Sequence, residues 1–247
     1  MKLETWENWY NKILDDFGFL KEEDEKSALI LNRILNDKGS YSLDGLKKFI
    51  NESKEGNTLF IIFGAGPSLK DHVNYFKNNP SKFDNYVTIA ADGATTALLE
   101  ENIIPDIIVT DLDGKIDDLL IANEKGSFFV IHAHGNNQES ILKYVKSFKK
   151  VLGTTQSNPF GKLYNFGGFT DGDRGVFLAI ALNVKTLCLA GMDFGKYVTS
   201  YSRPNLSSDI EIADDIKQKK LNYAEKLVKW ASKNTDVDIS FMKSRKN

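Results

Sequence analysis

Pro105-Asp106-Ile107-Ile108-Val109-Thr110-Asp111-Leu112-Asp113-Gly114 joins a short continuous apolar run to two carboxylates spaced one residue apart. Such a run suits a strand covered on both faces. Outward from it the same arrangement recurs: Leu59 to Phe63, Tyr86 to Ala90, Phe128 to Ile131, Val151-Leu152 and Thr186 to Ala190 are apolar runs separated by helical patterns. This alternation predicts an α/β fold, a largely parallel sheet flanked by helices. In that architecture ligands bind beyond the carboxyl ends of the strands, so the residues just after each run are the candidates for chemistry.

After the first run comes Gly64-Ala65-Gly66-Pro67-Ser68-Leu69, a small-residue turn that can present backbone N–H groups and a helix N-terminus to an anion. It lacks the Gly-Lys-Ser/Thr of a P-loop, and Leu69 stands where a dinucleotide fingerprint has its third glycine. The alternative is a tight turn with Ser68 capping the next helix. The second run closes with Ala91-Asp92-Gly93-Ala94. The acids after the third, Asp111 and Asp113, can project together where a strand frays into a turn, as hard oxygen ligands for magnesium. The fourth run ends in Ile131-His132-Ala133-His134-Gly135-Asn136-Asn137, whose alternate imidazoles read as donors to phosphate or substrate rather than as zinc ligands. His72, in a charged helical stretch, reads as a solvated surface residue.

Gly167-Gly168-Phe169-Thr170-Asp171-Gly172-Asp173-Arg174-Gly175 precedes an apolar helix beginning near Val176. Thr170 or Asp171 can cap that helix, Asp173 can reach a metal directly or through water, and Arg174 can neutralise phosphate charge. Gly191-Met192-Asp193-Phe194-Gly195 places Asp193 at the same edge.

Residues 1–56 read as a helical N-terminal subdomain, with Trp6, Trp9, Tyr10, Ile13, Leu14 and Phe17 on one stripe and Gly56-Asn57 as the break. Residues 57–247 read as the α/β catalytic domain, ending in a helix from about Asp215 to Ser232 whose apolar stripe is Leu221, Ala224, Leu227, Val228 and Ala231. Gly195 to Asp209 lacks periodicity and reads as a loop able to move over the site. The chain has 247 residues and a formal charge of −2, with no basic field of the kind that attracts nucleic acid. No apolar stretch approaches the ~20 residues of a membrane span, and the start carries no signal-like region, so a cytoplasmic protein with small-molecule partners is expected. Self-association into a homo-oligomer is left open. The single cysteine, Cys188, reads as a buried inert thiol.

Taken together, GAGPSL, ADGA, PDIIVTDLDG, HAHGNN, GTTQS, NFGGFTDGDRG, AGMDFG and the Trp-rich first helix resemble the archaeal 6-hydroxymethyl-7,8-dihydropterin pyrophosphokinases along nearly the whole chain. The Asp motifs are also similar to those of thiamine pyrophosphokinases, which implies a Rossmann-like core of that type. The resemblance implies a Mg²⁺-dependent reaction in which the primary alcohol of a pterin attacks the β-phosphorus of ATP and AMP leaves, in tetrahydromethanopterin or folate-type cofactor synthesis. On this reading Asp111, Asp113 and Asp173 hold magnesium. Gly64, Gly66 and Ser68 take nucleotide phosphates, with Thr110 and Asp171 in the same ligand-binding set. Arg174 and Asp173 serve the transition state, and Asp92, His132 and Asn136 face the substrate, Asp92 as a candidate base. Thiamine pyrophosphorylation, glycosyl transfer from a metal-bound nucleotide sugar, and non-catalytic nucleotide binding are the competing readings.

Overall fold

The computed structural model describes residues 1–54, 56 and 59–243. The chain runs α1 (Leu3–Phe17), α2 (Lys21–Lys38), α3 (Leu43–Ser53), β1 (Leu59–Phe63), α4 (Leu69–Lys77), α5 (Pro80–Phe83), β2 (Val87–Ala91), α6 (Ala94–Glu100), β3 (Ile107–Thr110) and α7 (Ile116–Glu124). It continues through β4 (Phe128–Ala133), α8 (Gln138–Tyr144), β5 (Val151–Thr155), β6 (Leu163–Tyr164), α9 (Asp171–Ala181), β7 (Thr186–Ala190), β8 (Tyr197–Thr199), β9 (Ile210–Ile212), α10 (Asp215–Asn234) and β10 (Asp238–Phe241). The expected boundary at Gly56-Asn57 falls largely outside the described residues, since 57 and 58 are not among them.

Among the described residues the main sheet has eight strands in the order β10-β7-β1-β2-β3-β4-β5-β6, and every pairing in it is parallel. The expected α/β architecture is therefore the one observed. The alternation of strand side chains explains the continuous apolar runs. Ile62, Ile89, Val109 and Val130 enter one layer with α1, α3, α9 and α10. Ile61, Ala90, Ile108, Phe129 and Ile131 enter the other with α2, α4, α6, α7 and α8. A strand buried on both faces has no polar side to alternate with. The strand order reverses beside β1, where the chain returns from β6 to insert β7, and this leaves a crevice beyond the carboxyl ends. Among the described residues no helix is long and apolar enough to cross a membrane.

Two local expectations are corrected and a third is refined. His72 is buried, and its Nδ1 accepts the N–H of Gly191 at 2.9 Å, so it ties α4 to the turn after β7 instead of facing solvent. Cys188 is half-buried rather than enclosed. The segment Gly195 to Asp209 is loop apart from β8, which pairs antiparallel with β9 just beyond it and is anchored where the Thr199 hydroxyl donates to the carbonyl of Ala65 at 2.8 Å. These three-residue strands are too short to show periodicity. Gly93 admits the hairpin, because a β-carbon there would collide with the carbonyl of Tyr201.

Candidate active site

The carboxyl ends of β1, β2, β3, β4 and β7 open into a cavity of about 430 Å³, walled further by the Gly18–Leu20 turn, the start of α9 and the first turns of α10. At its centre one carboxylate oxygen from each of Asp92, Asp111, Asp113 and Asp171 lies within 4.8 Å of the others. Backbone conformation builds this cluster. Leu112 adopts φ 67° between the two acids of the third strand end, and Asp92 adopts φ 35°. A left-handed residue other than glycine costs roughly 1–2 kcal/mol. The buried side chain of Leu112 in the core beneath it holds that turn in place. Thr110 is fully buried, and its hydroxyl donates to Asp92 Oδ1 at 2.7 Å while accepting the Leu112 N–H at 2.8 Å. It therefore fixes the cluster from behind and is not part of the cavity lining.

The electrostatics divide the four acids. Burial would raise Asp111, but a hydrogen bond with His134 Nε2 at 2.9 Å, the charge of that ring and the charge of Arg174 hold its carboxyl far below the usual range. Asp92 is pushed well above its ordinary value by burial and then by the charges of Asp171, Asp113 and Asp111. Asp171 is also raised, by burial and then Asp111, against the opposing charge of Arg174, which bonds it at 3.1 Å. Asp111 Oδ1 is buried without a hydrogen-bond partner. Converging carboxylates with an unused buried oxygen are a fitting donor set for a hard divalent cation, which takes oxygen ligands.

A pH dependence follows. Asp92 and Asp171 have folded values above their unfolded ones, so between those values the folded state binds more protons and stability falls as pH rises. Asp111, shifted the other way, contributes stability that is lost only as pH falls below the ordinary carboxylate range. A cation that replaces the protons should stabilise more as pH increases. The rise in thermal midpoint produced by Mg²⁺ is therefore expected to be larger at about pH 8 than at about pH 5, and an equal rise at both would exclude the cluster as its site. Comparing each pH with and without the cation cancels the opposing contribution of His72 and His132, whose values burial lowers.

Asp173 stands apart from the cluster. Its Oδ2 accepts the Phe169 N–H at 2.6 Å and its Oδ1 the Thr170 N–H at 2.8 Å, completing a capping box at the start of α9. With both oxygens committed and the side chain fully buried, it is not placed to ligate a metal, and Asp171 occupies the expected position. His132 is likewise behind the wall: it is 3% exposed, with Nδ1 on the Thr154 hydroxyl at 3.0 Å, and His134 is the imidazole that reaches the acids. Asn136 lines the cavity, as do Gly64 and Gly66.

The donors of Gly64, Gly66 and Ser68, expected to grip phosphate, are already engaged. Gly64 N–H bonds Ala190 O at 2.8 Å, Gly66 N–H bonds Gly191 O at 2.8 Å, and Ser68 donates both its N–H and its hydroxyl to Asp193 Oδ2 at 3.0 Å. The glycines serve close packing: a β-carbon on Gly64 would meet Met192 Sδ at 2.7 Å, and one on Gly66 would meet Gly191 O at the same distance.

Arg174 and Asp24 complete the wall. The Arg174 guanidinium donates to Gln156 Oε1 at 3.2 Å, and the Gln156 amide donates to Asp24 Oδ2 at 2.8 Å. Asp24, from α2, also accepts from Tyr10 at 2.6 Å and from the Gly135 N–H at 2.6 Å. The N-terminal helices are thereby wired into the site through residues whose local sequence gives no hint of it.

With this geometry in hand, comparison with known proteins is specific. Residues 33–199 match the family described as MptE-like, 6-hydroxymethylpterin diphosphokinase MptE-like. Three archaeal proteins named 6-hydroxymethyl-7,8-dihydropterin pyrophosphokinase align over nearly their full lengths. The one from Methanothermobacter thermautotrophicus is 49% identical, with 97% of this chain and 99% of the relative covered. That from Methanocaldococcus jannaschii is 50% identical, covering 98% and 100%. That from Pyrococcus furiosus is 41% identical, covering 97% and 98%. Among solved structures, a Maf glycosyltransferase from Magnetospirillum magneticum superposes with a TM-score of 0.54 at 17% identity, over 93% of this chain. The chain spans 39% of that larger protein, and the likeness is one of fold.

Proposed function

The chain belongs to the MptE-like family of 6-hydroxymethylpterin diphosphokinases, and from that premise we propose that it transfers the terminal diphosphoryl group of ATP to the primary alcohol of 6-hydroxymethyl-7,8-dihydropterin. The alcohol oxygen bonds to the β-phosphorus, the bond from that phosphorus to the α,β-bridging oxygen breaks, AMP departs, and the alcohol proton passes to a base. The observation that carries this reading is the convergence of Asp92, Asp111, Asp113 and Asp171 beside Arg174. Magnesium held by that cluster would offset phosphate charge and align the donor.

The chain's own groups supply the rest. Arg174, 4.0 Å from Asp111 and bonded to Asp171, places a fixed cation where charge develops on the transferring group. Asp92 is the carboxylate assigned to take the alcohol proton. Its raised value makes it the more basic carboxylate once a bound cation has displaced its proton, and Thr110 orients it through Oδ1. Such a product would feed tetrahydromethanopterin or folate-type coenzyme synthesis in the cytoplasm.

The test is to incubate the chain with ATP, Mg²⁺ and either the hydroxymethyldihydropterin or thiamine, then separate the nucleotides. AMP accumulating only with the pterin is expected. ADP as the nucleotide product, AMP with thiamine alone, or no acceptor dependence would overturn the proposal, and turnover of a nucleotide sugar without AMP would favour glycosyl transfer.

A further inference from the structure

The turn after β1 has its Gly64, Gly66 and Ser68 donors engaged, yet a triphosphate needs cations, and the start of α10 holds two, Lys217 and Lys220. The core-facing side of α10 runs through Leu227, Ala224 and Leu221, and one turn further toward the N-terminus it continues as Lys220 and Lys217. Both lysines line the cavity. Two other lysines of α10 are held by protein groups: Lys229 pairs with Glu225, and Lys219 donates to the Asp16 carbonyl. Lys217 and Lys220 have no carboxylate within ion-pair distance among the described residues. Lys217, the third residue of α10, also opposes helix electrostatics, because cations are disfavoured in the first turn of a helix.

These charges share the cavity with the acids and lie within electrostatic reach of them. Lys217 lies close enough to Asp113 to oppose the upward push that desolvation and Asp111 give that carboxyl. Lys220 is lowered by burial and then by Lys217, and it feels the charges of Asp111, Asp113 and Arg174. Its ammonium sits 5.9 Å from the ring centre of Phe19 and 5.8 Å from that of Phe169, so the charge itself is held over two aromatic faces that also line the cavity. In the same lining, Arg174 is 7% exposed and its Nε has no partner.

We propose that Lys217 and Lys220, lining one cavity with Arg174, form the cradle for the nucleotide's polyphosphate, the role left open by the engaged Gly64, Gly66 and Ser68 donors. This inference rests on the reading that a nucleoside triphosphate is the donor. It assigns the lysines to substrate contact, with the acids and their cation on the same polyphosphate.

Lys217→Met, Lys220→Met and the double variant test it, because methionine removes the charge and keeps an unbranched side chain. Binding of ATP with Mg²⁺, of ADP and of adenosine to the full chain is measured by calorimetry, beside KM for both substrates. Each single variant is expected to weaken ATP about tenfold to a hundredfold, as loss of a charge-assisted bond would. Adenosine affinity and the pterin KM should stay within about twofold, and Lys220→Arg should recover most of the ATP affinity. Unchanged ATP affinity in the double variant would overturn the inference. So would equal weakening of ATP and adenosine, which would make the lysines shape the wall only. If the unaltered chain binds ATP but forms no AMP with the pterin, the proposed reaction fails while the titrations still judge the lysines; if it binds no ATP, both fail.

Discussion

Asp111→Asn is expected to lower pterin-dependent AMP formation by about a hundredfold to ten-thousandfold, the rate equivalent of several kcal/mol of charge stabilisation. Asp111 is the acid that surroundings keep ionised: His134 bonds it at 2.9 Å and Arg174 stands 4.0 Å away, while Asp92 and Asp171 are driven toward protonation. It is therefore the anchor of any cation bound there, and its Oδ1 is buried with no protein partner. Asparagine keeps the shape and an acceptor for His134 but removes the charge. The effect should appear in kcat and in the Mg²⁺ concentration needed, with the circular dichroism spectrum unchanged. Turnover within about tenfold of the unaltered chain at saturating Mg²⁺ would remove Asp111 from the metal assignment.

Arg174→Lys should cost at least about a thousandfold in kcat, by analogy with the arginines that stabilise phosphoryl-transfer transition states. The substitution keeps the charge, so its effect isolates geometry. The guanidinium fork reaches Asp171 with one terminal nitrogen and Gln156 with the other, at 3.1 and 3.2 Å, and a lysine cannot make both contacts while offering a further N–H to a phosphate. A neutral replacement would be a poorer test, since it would strand buried carboxylates and destabilise the fold. The measurement is kcat beside the thermal midpoint. A small change in kcat with an intact midpoint would show that Arg174 is only a structural partner of the acids.

The sheet was legible because parallel strands buried on both faces appear as continuous apolar runs, and because the residues after those runs were chemically unusual. Asp92, Asp111, Asp113, Asn136, Asp171 and Arg174 were read as site candidates from that position, and the structure gathers them around one cavity. The choice between Asp171 and Asp173 went wrong although a signal existed. Thr170-Asp171-Gly172-Asp173 has the spacing of a capping box, which commits the acid at its end to backbone N–H groups. His132 and His134 alternate along one strand direction, and only the frayed end of β4 decides which reaches Asp111. The glycine turn misled for another reason. Glycines that admit a phosphate and glycines that admit a neighbouring loop look alike in sequence, and Asp193 and the carbonyls after β7 are 125 or so residues away from the turn they occupy. Asp24, Lys217 and Lys220 were invisible on the same ground: each sits in a helix of ordinary composition, and only the packing of α2 and α10 over the strand ends gives it a role.

That packing has a consequence for how the molecule comes into being. The cavity lining runs from Gly18 to Leu221, so no contiguous fragment that stops before α10 contains all of it. The β1 strand waits for β7, with Ile61 opposite Cys188, before the crevice has two sides. Pairings this distant in the chain are slow to form because loop closure must precede them. During synthesis the acids of β2 and β3 emerge from the ribosome well before the lysines that share their cavity. A functioning centre is thus a property of the finished chain, and an interrupted one carries the charge cluster without the means to use it.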